Sequence, residues 1–332
     1  INARDTKSGV VLNNDESLSQ QHIQDAVGLD GSQQDEMLST AVSLGDINGD
    51  RLEDFIFRGE GESYIIYGPL DRGGSFQLAD ISQLADIVAS ADLGRPAERS
   101  GNFNADEDGN HDLLFVRESS SSEFQVSIIP TDHTTLLPRN LSASNVPTES
   151  SFTFVDALWA GHAVHAYSLE SNGDGISDIL IVTENDAATT IARWYSGAVI
   201  EGCVNDPSDA CNTPSFDNTN SFAVTSGTSA VPDANVLRDI NGDGRDDVAF
   251  IREGDAAYIL FGASAADASP LSDVNLSTLA SFTGVALQAL GDLDMDGYDD
   301  FAAIGNADGS SPSVQIYRGG PGLPLPGLDN CP

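Results

Sequence analysis

Basic residues are scarce in this chain: 14 lysines and arginines, Lys7 being the only lysine, stand against 52 aspartates and glutamates and leave a formal charge of −38 over 332 residues. A surface of that sign repels nucleic acid and anionic lipid, which excludes both as partners. Cysteine is nearly absent, with three in all. Cys203 and Cys211 lie eight residues apart in the polar GCVNDPSDAC, where a small disulfide loop fits an oxidising compartment, and Cys331 has no obvious partner. No apolar run approaches the roughly 18 residues of a membrane helix. The residues from Ile1 carry neither a charged n-region nor an apolar h-region, so any export signal is expected to have been removed already. Hydrolase signatures are missing too, with neither a GxSxG elbow nor HExxH in the chain.

What the chain does hold is carboxylate in a repeating pattern. Five nine-residue loops place a carboxylate or amide at positions 1, 3, 5 and 9: Asp46–Asp54 (DINGDRLED), Asn104–Asp112 (NADEDGNHD), Glu170–Asp178 (ESNGDGISD), Asp239–Asp247 (DINGDGRDD) and Asp292–Asp300 (DLDMDGYDD). In the last, Asp292, Asp294, Asp296 and Asp300 can converge on one hard cation, with the Tyr298 carbonyl and water completing the six to eight oxygens that Ca²⁺ takes. The equivalent ligands expected in the other loops are Asp46, Asn48, Asp50, Leu52 and Asp54; Asn104, Asp106, Asp108, Asn110 and Asp112; Glu170, Asn172, Asp174, Ile176 and Asp178; and Asp239, Asn241, Asp243, Arg245 and Asp247. Gly297 permits the tight turn. Arg51 stands where the other four loops have glycine at position 6, so the first site is expected to be strained or weaker, with Gly49 carrying the turn instead. About five Ca²⁺ would cancel roughly ten negative charges and leave a large excess, suited either to a solvated surface in saline water or to a cationic partner.

These loops are not EF-hands. Position 12, where an EF-hand needs a bidentate glutamate, is Phe57, Phe115, Ile181, Phe250 or Ala303. Short runs rich in β-branched and aromatic residues follow each loop, such as Leu113-Leu114-Phe115-Val116 and Ile179-Leu180-Ile181-Val182, and these read as buried strands. The loop starts at 46, 104, 170, 239 and 292 mark a long repeat. Each period holds a strand A before the loop, B after it, C after a polar turn (Tyr64–Gly68 or Tyr258–Gly262, for example), and a looser D. The D segments are expected at Phe76–Val88, Phe152–Leu158, Phe222–Thr225 and Val274–Phe282. The fifth period lacks one, and the stretch Leu18–Leu29 resembles the segment near Asn275, so the N-terminal strand is expected to complete the last blade and close a ring. Four antiparallel strands per repeat, set radially, make an all-β β-propeller. The expected layout is an N-terminal extension over 1–17, the propeller over 18–319 and a Gly/Pro-rich tail over 320–332.

With "YILFG", "VNLSTLASF" and "ALGDLDMDGYDD" as the most specific span, the repeats resemble the FG-GAP repeats of integrin α-subunit propellers and of many secreted proteins. That resemblance implies calcium in the loop between the first two strands and an extracellular adhesion or ligand-binding role. Integrin propellers have seven blades with calcium in only some, whereas this chain has five repeats and a loop in each, which favours five blades, six or seven being the alternatives that need further sequence. The tail GLDNCP resembles the start of a thrombospondin type 3 repeat.

Strand alternation puts the A–B and C–D loops on one face of the disc and the B–C and D–A loops on the other. The second face is the ligand side in similar propellers, and its candidates here are Arg95, Glu98 and Arg99 in one loop with Trp159, His162 and His165 in the next. An exposed tryptophan suits a sugar or protein contact, and the alternative is a core plug beneath a loop. In a strand, His162 and His165 point to opposite faces, which argues against a shared metal. The expected function is a calcium-stabilised module that binds a protein or glycan ligand and is no enzyme. A calcium-dependent polysaccharide lyase and a purely structural surface repeat are the alternatives.

Overall fold

The computed structural model of the chain describes residues 40–59, 61–68, 85–97, 104, 110–118, 124–131, 137–145, 152–156, 164–183, 190–204, 221–225, 232–252, 256–262, 273–276, 279–283, 285–305 and 313–321. Short antiparallel strands recur in chain order. The first sheet runs β1 (Thr40–Gly45), β2 (Asp54–Arg58), β3 (Ser63–Ile66) and β4 (Ile87–Ala89). The second runs β5 (Arg95–Pro96), β6 (Leu113–Glu118), β7 (Phe124–Ile129) and, beyond a short β8 (Asn140–Leu141), β9 (Phe152–Asp156). The third is β10 (Val164–Leu169), β11 (Asp178–Thr183), β12 (Thr190–Tyr195) and β13 (Ser221–Thr225). In the fourth, β14 (Pro232–Arg238), β15 (Asp247–Arg252) and β16 (Ala256–Leu260) are followed, beyond β17 (Val274–Asn275), by β18 (Ala280–Thr283). The last has three described strands, β19 (Val285–Gly291), β20 (Asp300–Gly305) and β21 (Ser313–Tyr317).

Successive sheets stack face to face, with β5 near β2, β10 against β6 and β14, and β14 against β19. Radially repeated four-stranded meanders of this kind make the chain a β-propeller. Each interface is a core of its own. Leu113, Phe115 and Ile129 face the first sheet, while Leu114, Val116, Val126 and Ile128 face the third. Burial on both faces is why the second strands read as unbroken apolar runs rather than alternating ones. The last sheet differs. Phe301 and Ala303 pack towards the fourth sheet, but Ile304, Val314 and Ile316 are 45%, 64% and 61% exposed.

Three features depart from the sequence-based expectation. An α-helix, α1 (Gly197–Val204), follows β12, and its Ile200 is buried in the core between the second and third sheets. The segment Val274–Phe282 is not one D strand: β17 lies parallel to β13 of the preceding sheet, and only β18 pairs with β16. Leu276, buried between the third and fourth sheets, anchors the crossing. In the same way β8 adds parallel to β4. Finally, Arg95 opens strand β5 instead of lying in a loop. The extension 1–17, the closing strand expected at 18–29 and the tail beyond residue 321 lie outside the described residues.

Candidate metal centre

The loops starting at Asp46, Glu170, Asp239 and Asp292 are built by their own side chains folding onto their backbone. The position 1 carboxylate lies beneath the turn: Asp46 accepts the N–H groups of Gly49, Asp50 and Arg51 at 2.6, 3.1 and 2.7 Å, and Asp239 repeats this with Gly242, Asp243 and Gly244. Positions 3 and 5 form Asx turns, as where Asn241 accepts from the N–H of Asp243 and Asp243 from that of Arg245. Such folding requires left-handed backbone twice. Position 4 (Gly49, Gly173, Gly242 and Met295, φ 81, 77, 80 and 61°) and position 6 (Arg51, Gly175, Gly244 and Gly297, φ 66, 87, 83 and 94°) both adopt it. Gly49 therefore does not replace the turn at position 6. Arg51 takes the strained conformation itself, and Met295 does so at position 4.

Position 9 ties the loop to the sheet. Asp54, Asp112, Asp178, Asp247 and Asp300 are at most 1% exposed. One oxygen accepts the N–H that follows strand C: Gly68, Thr131, Gly197, Gly262 and Gly319 donate at 2.8–3.1 Å. The other accepts from position 2 of the same loop, through Ile47, Ser171, Ile240 and Leu293. In the third loop the Ser171 hydroxyl also donates to Asp178 at 2.7 Å and accepts from the Trp194 indole at 2.6 Å. Burial pushes the carboxyls of Asp54, Asp178 and Asp247 up to about 6, 7 and 8, outweighing the backbone donors that favour the charged form. Burial likewise raises Glu170.

The donor set fits a hard cation. In the last loop, carboxylate oxygens of Asp292, Asp294 and Asp300 all lie within 4.8 Å of one another, as ligands sharing an ion with bonds of about 2.4 Å must. Asp296 orients this loop by accepting from Tyr298 N–H at 3.0 Å. A cationic group already sits at its edge: Arg318 Nη1 is 2.9 Å from Asp294, in a pair exposed enough to contribute little. In the first, third and fourth loops the position 3 amide of Asn48, Asn172 or Asn241 instead donates to the position 5 carboxylate of Asp50, Asp174 or Asp243. Asp106 and Asp108 fall outside the described residues. Of the second loop, Asn104, Asn110 and Asp112 are described.

Neighbouring loops are joined by residues absent from the expected ligand set. Position 8 of each later loop reaches back to position 1 of the loop before it. His111 Nδ1 accepts Asp46 N–H at 2.9 Å, Ser177 Oγ accepts Asn104 N–H at 3.0 Å and Asp246 Oδ2 accepts Glu170 N–H at 2.8 Å. The backbone N–H groups of Ser177, Asp246 and Asp299 donate to the carbonyls of Asn104, Glu170 and Asp239. Position 7 covers the neighbour's position 4: a Cβ on Gly242 would lie 1.9 Å from the Tyr298 ring, and one on Gly173 would lie 3.2 Å from Arg245 Nε. In the first loop, position 8 is Glu53, which accepts from Ser43 Oγ within its own sheet. Position 8 is polar in all five loops without being a ligand position, and that was the signal available in the sequence.

Of the candidates for the opposite face, Arg95 is described, with its Nη1 3.4 Å from His165 Nε2, whereas Arg99, Trp159 and His162 are outside the described residues. So is the Cys203–Cys211 pairing: Cys203 lies in α1, but its side chain and Cys211 are not described.

No protein family and no curated protein matches the sequence. Among solved structures the chain is similar to the Dos1 propeller (TM-score 0.39, 7% identity, 84% of this chain and 57% of that one). It is also similar to BBS1N in complex with ARL6DN (TM-score 0.34, 10% identity, 85% of this chain and 84% of that one). The chain thus spans little more than half the length of the first. Among the described residues, no helix is long and apolar enough to cross a membrane.

Proposed function

We propose that this chain is a calcium-stabilised propeller module of the FG-GAP, integrin α-like type that works outside the cell, displaying its face opposite the acidic loops to a protein or glycan ligand. The observation that carries this reading is the gathering of Asp292, Asp294 and Asp300 in a loop whose hydrogen-bonding scheme recurs in at least three others. One loop design used in every blade suits a structural ion. Two unit charges 4 Å apart cost about 4 kcal/mol at an effective dielectric of 20, so an empty loop repels itself. A bound ion removes that repulsion and contributes roughly 2.7 kcal/mol per site at a hundredfold excess over Kd. Extracellular modules work with Kd values of about 10⁻⁴–10⁻³ M, which matches millimolar calcium outside cells.

Thermal unfolding with and without chelator tests the reading. EGTA is expected to lower Tm by tens of degrees, with magnesium restoring it poorly because it dehydrates reluctantly. An unchanged melting curve in excess EGTA would show that the sheets stand on their cores alone. Five blades, closed by residues 18–29, complete the proposed ring. Deleting residues 1–30 then exposes the last sheet's edge and causes aggregation, whereas a monomeric truncation with unaltered melting rules the closing strand out.

A further inference from the structure

On the face opposite the acidic loops, the first three sheets enclose a cleft of about 300 Å³. Its lining includes Arg58 at the end of β2, Arg95 at the start of β5 and Arg117 in β6. Three of the thirteen arginines of a chain carrying −38 therefore line one depression, with Glu62 the acidic residue among the described lining. The guanidinium of Arg117 is held in place: Nε donates to Gln125 Oε1 at 2.6 Å and Nη1 to the Asp92 carbonyl at 2.5 Å. Arg95 is oriented by His165. The carboxylate of Asp92 is engaged by Ala143 N–H at 3.1 Å. Gly94 forms part of the wall, where φ is +95° and a Cβ would lie 2.3 Å from the Val116 carbonyl, so the backbones close in to shape the cleft.

We propose that this cleft binds the carboxylate of an acidic saccharide, a uronate residue. The proposal rests on the reading above that this face is the ligand side, and it names the ligand's class. A planar guanidinium matches a carboxylate in bidentate geometry, and one held by hydrogen bonds of its own, as Arg117 is, loses little freedom on binding it. The volume lies at the small end of ligand sites and fits one sugar ring. Glu62 offers an acceptor for ring hydroxyls.

The test is calorimetric titration of the calcium-saturated protein with a glucuronate-containing disaccharide, its carboxyl-reduced form and a glutamate-rich peptide. The uronate is expected to bind at least tenfold more tightly than the reduced sugar and to weaken as salt is raised. Arg58→Gln and Arg95→Gln should each weaken it tenfold or more while melting and calcium content stay unchanged. Because a variant can misfold, arginine Nε–H NMR signals of the unaltered protein provide a second readout, and uronate should shift a small set of them. Equal binding of the reduced sugar, undiminished affinity in both folded variants, unmoved arginine signals or preferential binding of the peptide would overturn the assignment. Normal calcium-dependent melting without uronate binding refutes the cleft alone. Uronate binding by a protein whose melting ignores EGTA refutes the calcium reading alone.

Discussion

The loops Asp239–Asp247 and Asp292–Asp300 follow the same design yet live in different surroundings. Ile240, at position 2 of the former, is completely buried, whereas Leu293 is 56% exposed. Gly242 lies under the Tyr298 ring, but Met295, its counterpart, is 90% exposed. The Asp239 carbonyl receives the N–H of Asp299, and Gly320 N–H donates to the Ile240 carbonyl. Every one of these covering groups comes from the following blade. A loop's burial is therefore a property of its neighbour as much as of its own nine residues.

The largest expected effect concerns the acidity of the covered loop. Burial raises the Asp247 carboxyl to about 8, with Asp243 and Asp239 adding to the rise, against an ordinary value near 4. The folded protein thus keeps a proton that the unfolded chain has already released, so this group's stabilising effect is complete below about pH 4 and is lost as pH rises through about 8. Asp178 and Asp54 act in the same direction up to about 7 and 6. Metal-free protein, prepared by dialysis, should become progressively less stable to urea between pH 5 and pH 9. Asp247→Asn should flatten that slope, and millimolar calcium should abolish it by taking the protons' place. A slope untouched by Asp247→Asn would assign the trend to overall charge instead.

Gly242→Ala and Gly244→Ala separate cover from backbone strain. Both residues are left-handed, but nothing lies within 4 Å of a Cβ on Gly244. Gly244→Ala should cost about 1–2 kcal/mol, the usual price of that conformation. Gly242→Ala must also displace Tyr298 and should cost about 3 kcal/mol or more, since overpacking adds roughly 1–3 kcal/mol. Urea denaturation of both variants in calcium checks the ordering, and equal losses would mean that Tyr298 moves aside freely.

The smallest effect has the opposite sign. Met295 is left-handed and almost fully exposed, so Met295→Gly relieves strain at no packing cost. It should stabilise the protein by about 1 kcal/mol in the same assay. A destabilised variant would show that the methionine makes a contact in solution.

The second and third strands were legible because burial on both sides writes short runs such as Ile179–Val182, and the loops because cation chemistry fixes residue types at fixed spacing. What could not be read crosses between repeats. His111, Ser177 and Asp246 lie one repeat away from the backbone they engage, and their types differ because an imidazole, a hydroxyl and a carboxylate can all accept one N–H. The helix Gly197–Val204 was missed for another reason. It has only eight residues, and its apolar side chains suit a strand as well as a helix. Val274–Phe282 misled because strand propensity says nothing about which sheet a strand joins.

The two-residue strands β8 and β17 have a colloidal consequence. Each lies along the rim of the preceding sheet, satisfying part of the hydrogen-bonding row that β4 or β13 would otherwise present to another molecule. Val88 and Ser90 donate to the Arg139 and Leu141 carbonyls at one rim, and Ala223 donates to the Asp273 carboxylate at the other, while Leu141 and Leu276 are buried in the neighbouring cores. A proteolytic nick beside Asn140 or Asn275 would loosen that cover and unmask the edge of β4 or β13, giving a unit able to polymerise edge to edge.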